Sequence, residues 1–271
     1  SRHDAELRIQ RALSIGIRSA RGRGSGSEFE SLREYGVDDE FRRIDWAATA
    51  RADKPIVRTY RPERNQQVVV LLDTGRGMAG RIAGVPRLEH GIDATLALTS
   101  VAARLGDRCG LVAFDRDVRA VVAGAAGPGQ VARIVEAVYD LGPRLEESDY
   151  HGAFVATLSR FRRRSLLVLV TELTEEAMCE TLVPALPLLL SRHLVIVTSV
   201  ADPTVAEWAA AEPVDAGEAF RTAAATQARA RRSASVATLR AMGAVVCDAA
   251  PGVLAGALAD AYLEIKGDAR L

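Results

Sequence analysis

From residue 67 onward the chain alternates short, uninterrupted apolar runs with segments whose apolar positions recur every three or four residues. The runs are Gln67–Asp73 (QVVVLLD), 110–114, 118–122, 166–171, 194–200 and 244–247. A run without polar alternation is how a strand reads when both faces of its sheet are covered, the usual situation of a parallel strand. The intervening segments predict helices. Over 88–105 the apolar stripe is Ile92, Leu96, Thr99 and Ala103; over 130–139 it is Val131, Ile134, Val135 and Val138; over 149–160 it holds Phe154, Val155 and Leu158. Further helices are predicted over 204–211, 218–242 and 253–264. Strands alternating with helices give an α/β layered sheet covered on both faces. Only residues 115–117 join two runs with no room for a crossover, so 118–122 is expected as an antiparallel edge strand. The expected order is the doubly wound 3-2-1-4-5-6, mostly parallel, with Gln67–Asp73 central and 166–171 beside it.

The first 66 residues have another texture, a polar N-terminal extension before the domain at 67–271. Residues 4–17 predict a short helix, followed by the Gly-, Ser- and Arg-rich linker RSARGRGSGSEFES. Residues 28–64 mix charge with aromatics: Gly36 and Asp38-Asp39 mark a turn, and Ile56, Val57 and Tyr60 suggest a strand. Such a mixture is expected to pack on the main domain through partly buried ion pairs, with Asp45 and Arg51 as candidates. Trp46 is expected to be at least half buried, with a cost of roughly 3–5 kcal/mol for Trp46→Ala if the site is core-like.

Charge and cysteine change the picture little. Basic and acidic residues number 35 each, so the formal net charge is zero, which disfavours a general nucleic-acid binder. All basic residues except Lys54 and Lys266 are arginine. Cys109, Cys179 and Cys247 are far apart and lie in or beside apolar segments, reading as free buried thiols in a reducing compartment. No run reaches the roughly 20 apolar residues of a membrane-spanning helix. The start, SRHDAELRIQRAL, is charged and amphipathic, unlike a signal peptide.

Two passages carry a specific resemblance. GSGSEFESLREYGVDDEFRRIDWAATARADKPIVRTYRPER, residues 24–64, and QQVVVLLDTGRGM, residues 66–78, resemble the domain of unknown function 58 family, as does the tail GAVVCDAAPGVLAGALADAYLEIKGDARL. That family joins such a segment to a von Willebrand factor A-like domain. The resemblance implies a MoxR-type AAA+ ATPase partner. It also implies tethering of many members by hydrophobic N-terminal segments, hence a cytoplasmic location or the cytoplasmic face of a membrane.

In A-type domains a divalent metal sits above the sheet on an Asp-x-Ser-x-Ser loop after the first strand, completed by a Thr and an Asp from later loops. Here that loop reads Asp73-Thr74-Gly75-Arg76-Gly77, with glycine at both hydroxyl positions. Ser148 or Asp149 stands for the Thr, and Glu172 for the Asp at the end of the fourth strand. Mg²⁺ wants about six oxygens in near-octahedral geometry, so two lost hydroxyls leave an incomplete cage. The ligand set would be Asp73, Asp149 and Glu172 with water, giving at most weak Mg²⁺ or Mn²⁺ binding; no other cofactor is implied. Asp73 is otherwise expected to accept hydrogen bonds from loop amides or to pair with an Arg. A partner-binding cleft is expected from Asp73, Thr74, Gly75, Arg76, Gly77, Ser148, Asp149 and Glu172. Arg76 or another Arg is expected to offset the repulsion between Asp73 and Glu172.

Enzymatic signatures are missing: there is no GxxxxGK[ST], HExxH or GxSxG, and the four histidines show no ligand spacing. His151, near the expected rim, reads as an ordinary helix-start residue. The sequence therefore points to a non-catalytic protein-interaction or adaptor module. Two alternatives compete with it: a metal-dependent hydrolase using Asp73 and Glu172, and a nucleic-acid binder using Arg18, Arg21, Arg23 and the arginines of 229–232.

Overall fold

A computed structural model describes residues 28–36, 41, 44–61, 65–173 and 178–268. The extension contributes β1 (Glu28–Glu34), α1 (Trp46–Ala52) and β2 (Ile56–Arg61). Then follow β3 (Gln67–Asp73), α2 (Arg76–Ala79), the two-residue strands β4 (Arg81–Ile82) and β5 (Val85–Pro86), and α3 (Arg87–Arg104). Next come β6 (Arg108–Phe114), β7 (Val118–Ala125), α4 (Pro128–Tyr139), α5 (Tyr150–Arg160) and β8 (Leu166–Val170). A π turn, Met178–Leu182, leads into α6 (Val183–Leu190), β9 (Leu194–Val200) and α7 (Pro203–Ala210). The chain ends in α8 (Ala216–Ala241), β10 (Val245–Ala249) and α9 (Pro251–Gly267). The expected helix over 4–17, the Gly/Arg-rich linker and the Asp38-Asp39 turn lie outside the described residues, as does the Cys179 side chain.

The main sheet has six strands in the order β10-β9-β8-β3-β6-β7. Numbered along the chain, this is 3-2-1-4-5-6, as the apolar runs predict. Every pairing is parallel except β6 with β7, which the turn at Asp115 closes as an antiparallel edge. β3 is central, with β6 on one side and β8 on the other. Its alternate residues serve two cores. Val68, Val70 and Leu72 join the layer under α3, α4 and α9; Val69 and Leu71 join the layer under α5 and α6. Two-sided burial is why this strand reads as a continuous apolar run. Helix α6 was not visible as a stripe, because VPALPLLL is apolar nearly all round. No helix among the described residues is long and apolar enough to cross a membrane.

At the amino end of the sheet, an ion pair ties α9 to the β6 entry. Lys266 Nζ lies 2.6 and 2.8 Å from the Asp107 oxygens, and Tyr262 Oη also donates to Asp107. All three side chains are buried. Nearby, His193 Nδ1 accepts from the Ser165 amide. Burial lowers the pKa of His193 below its ordinary value, and the Arg192 charge adds to that.

In the extension, β1 and β2 pair antiparallel with α1 in the connection between them, and Ile56 and Val57 are buried. One expectation fails here, and the cap of α1 is plain. Trp46 is 62% exposed, touching Phe41 edge-on, because α1 buries Ala48 instead. Asp45 is the N-cap of α1, accepting from the amides of Ala47 and Ala48, and Arg51 is an exposed residue whose Nε donates to the Ala47 carbonyl.

Three measurements check these points. Trp46→Ala should change unfolding free energy by no more than about 0.5 kcal/mol, as at other surface positions. Lys266→Met should cost about 3–5 kcal/mol by stranding Asp107, and adding Asp107→Asn should recover part of that. For His193, the unfolded state takes up a proton near pH 6.5, before the folded state does. Stability from the neutral ring is therefore full above that pH and lost as pH falls below it. In urea titrations, wild type should lose more stability than His193→Gln on acidification through this window.

Candidate functional site at the carboxyl end of the sheet

The loops after β3, β8, β9 and β10 converge at the carboxyl edge of the sheet, where open α/β folds expose functional groups. Asp73 ends β3 and is 2% exposed. Its Oδ1 accepts from the Gly75 amide at 2.8 Å and from Ser148 Oγ at 2.6 Å. Its Oδ2 accepts from Thr171 Oγ1 at 2.6 Å and from Tyr150 Oη at 3.1 Å; Tyr150 Oη and Thr171 Oγ1 are themselves 2.8 Å apart. Burial raises the carboxyl pKa above its ordinary value, against the four donors that pull it down. Burial also pushes the Tyr150 phenol well up, and the Asp73 charge adds to this.

The loop geometry follows from the same cluster. A Cβ on Gly75 would lie 2.2 Å from Ser148 Oγ and 2.9 Å from the Glu146 carbonyl oxygen. Ser148 thus occupies the space that a side chain at position 75 would need. A Cβ on Gly77 would meet Glu172 Cβ at 3.3 Å. Thr74 sits beneath, buried, with Oγ1 donating to the Phe114 carbonyl and accepting from Arg119. Asp115, also buried, has Arg119 and Arg144 at 3.5 and 3.7 Å.

Glu172 faces elsewhere. Its Oε1 accepts from Arg232 Nη1 at 2.7 Å, its Oε2 lies 3.1 Å from Arg87 Nε, and Ser199 Oγ donates to Oε2. Arg232 also forks onto Asp248 through Nε and Nη2 at 2.9 and 2.7 Å and reaches Ser199. Burial alone would lower the Arg232 pKa, but the bonds to Asp248 and the Glu172 charge raise it. The guanidinium stays charged and welds β8, β9, β10 and α8 together.

The expected residues therefore separate. Asp73, Gly75 and Ser148 form one contact cluster, and Gly77 abuts Glu172. Asp149 caps α5, accepting from the Gly152 amide, and does not join Asp73. Thr171, not Glu172, reaches Asp73, because adjacent residues at a strand end point to opposite sides. Arg76 pairs with Glu147 in solvent; Arg87 and Arg232 neutralise Glu172 instead. The expected cleft also shifts. Asp73 and Thr74 are closed off, and a cleft of about 670 Å³ opens on the Glu172 side between α7 and α8. Tyr150, Thr171, Arg87 and Asp248 were not singled out as site residues, and Arg232 was named only among the arginines of 229–232 for the nucleic-acid alternative. Thr171 had a legible signal, as the last residue of the run beside β3; the others depend on long-range packing. His151 is an exposed residue of α5.

These donors do not fit the divalent metal of A-type domains. Both Asp73 oxygens are committed to amide and hydroxyl donors, the loop positions that would supply hydroxyls are glycines, and Glu172 is held by two guanidinium groups. Among the described residues no group of three or more His, Cys, Asp or Glu is placed to hold a metal ion.

The strand order, the antiparallel edge strand and the Asp-led loop after the central strand define a von Willebrand factor A-like α/β domain. The chain belongs to the family described as protein of unknown function DUF58, whose pattern matches residues 31–241. No curated protein matches it. Among solved structures it is similar to a PilB minor pilin from Streptococcus sanguinis, with 10% identity over 79% of this chain and 65% of that one, TM-score 0.48. It is also similar to the conserved hypothetical protein BatB from Bacteroides thetaiotaomicron, with 14% identity over 66% and 98%, TM-score 0.42. A third similarity is to the vWF domain of the type V pili tip protein Mfa5 from Porphyromonas gingivalis, with 15% identity over 40% and 38%, TM-score 0.35.

Two substitutions test the cluster. Gly75→Ser, which restores a hydroxyl to the loop, should destabilise by about 1–3 kcal/mol through overpacking against Ser148 and Glu146. Thr171→Val should cost a similar 1–3 kcal/mol, because it leaves Asp73 one donor short in a buried site. Urea unfolding reads both; no change for either would mean the cluster is not closed as described.

Proposed function

We propose that this chain is a non-catalytic protein-interaction module, an adaptor for a MoxR-type AAA+ ATPase at the cytoplasmic face of a membrane, and that it engages its partner without a metal at Asp73. The coarser part rests on the fold, which often serves protein interaction. The observation that carries the metal-free reading is the closure of Asp73 by Gly75, Ser148, Thr171 and Tyr150. A carboxylate with four donors is preorganised as a structural post and not as an open ligand or base. The ATPase partner comes from the family resemblance of residues 24–78. A hydrolase built on Asp73 and Glu172 would need both carboxylates turned to one reacting centre; here they face different partners.

The test mixes the purified chain with a MoxR-type ATPase from the same host and follows complex formation by size exclusion and ATP turnover by phosphate release. A complex that persists in a chelator, with altered ATP turnover, is the expected result. Absence of a complex would overturn the partner. Ester or phosphoester hydrolysis by the purified chain, lost on Asp73→Ala, would overturn the non-catalytic reading.

A further inference from the structure

We propose that the cleft between α7, α8 and the carboxyl ends of β8 to β10 binds an acidic, partly apolar peptide segment of the partner protein. This rests on the interaction-module reading and gives it a site away from the Asp73 loop. The cleft, about 670 Å³, is lined by five arginines, Arg87, Arg229, Arg231, Arg232 and Arg240, against three carboxylates, Glu172, Asp202 and Asp248.

The carboxylates are all engaged inward. Glu172 and Asp248 are held by Arg232, Arg87 adds to Glu172, and Asp202 caps α7 by accepting from the Thr204 amide. Arg229 and Arg240 have no carboxylate partner among the described residues; Arg240 reaches only the Val246 carbonyl, at 3.5 Å. The lining residues Arg229, Ser233, Val236, Ala237 and Arg240 follow a three-to-four spacing, so α8 turns one face to the cleft with an arginine at each end. Between those ends α8 contributes Val236, and Leu173 and Val205 add further apolar lining.

Apolar lining flanked by two guanidinium groups with no carboxylate partner among the described residues complements a segment with carboxylates at its ends and an aliphatic residue between. Arginine suits this role because its planar fork pairs with carboxylate in bidentate fashion. A nucleic acid is disfavoured here. Its phosphates would approach the Glu172 and Asp248 wall, and a long polyanion would average over a chain of zero net charge. Charges farther than about 8 Å are screened at physiological salt, so recognition is local to the cleft.

Fluorescence anisotropy tests this with three labelled probes: a peptide with glutamates at both ends and leucines between them, the same peptide with lysines replacing the glutamates, and single-stranded DNA of matching length. The glutamate peptide should bind, the lysine peptide should not, and the double variant Arg229→Glu, Arg240→Glu should weaken binding by about tenfold or more. Both arginines are on the exposed side of α8, so the variant should keep the unfolding midpoint of wild type. Binding of the glutamate peptide that is indifferent to the double variant, no binding, or tighter binding of DNA would each overturn the proposal. If the double variant still captured the ATPase while the peptide failed, the cleft would be excluded and the adaptor reading would stand.

Discussion

A carboxylate at the carboxyl end of a central strand is desolvated on both sides by its neighbours, and something must compensate it. In this protein the compensation is four protein donors on Asp73, drawn from the loop after β3, the loop before α5, α5 itself and the end of β8. An unpaired buried charge would cost several kcal/mol, so these four segments are held together by one requirement. The glycine at position 75 follows from it, since Ser148 fills the space beside the carboxylate. The same bonds take up the lone pairs that a divalent cation would need.

Glu172, on the same edge, is handled by charge instead of by neutral donors alone. Glu172 lies one residue beyond Thr171 and so turns to the other side, where Arg87 and Arg232 meet it. Through Arg232 the link runs on to Asp248, at the end of the sheet away from β7. This edge of the sheet thus holds a closed neutral-donor cluster over β3 and an ionic network over β8 to β10, with Asp115 and its two arginines beyond β6. The ionic network borders the cleft, where Arg229 and Arg240 add positive charge.

The fold was legible because two-sided burial writes itself into continuous apolar runs. The buried-type runs and the crossovers between them placed Gln67–Asp73 centrally, and the short turn at 115–117 put 118–122 at the edge. What periodicity could not show was α6, apolar nearly all round, and α1, only seven residues long. Trp46 misled for a related reason: a large aromatic among charges reads as anchored, yet α1 is short and buries only Ala48. At the site, Asp73, Gly75 and Ser148 were legible as a loop pattern with missing hydroxyls. The partners of Glu172 were not, since Arg87 and Arg232 lie 85 and 60 residues from it and no local spacing announces them.

The central claim is that hydrogen bonding, and not a metal, completes the Asp73 loop. Isothermal calorimetry of the purified chain with Mg²⁺ and with Mn²⁺ tests it most directly. The expected result is no saturable binding in the micromolar range and the same heats for wild type and Asp73→Ala. A low-micromolar dissociation constant that disappears in Asp73→Ala would contradict it and make the loop a metal-bridged contact.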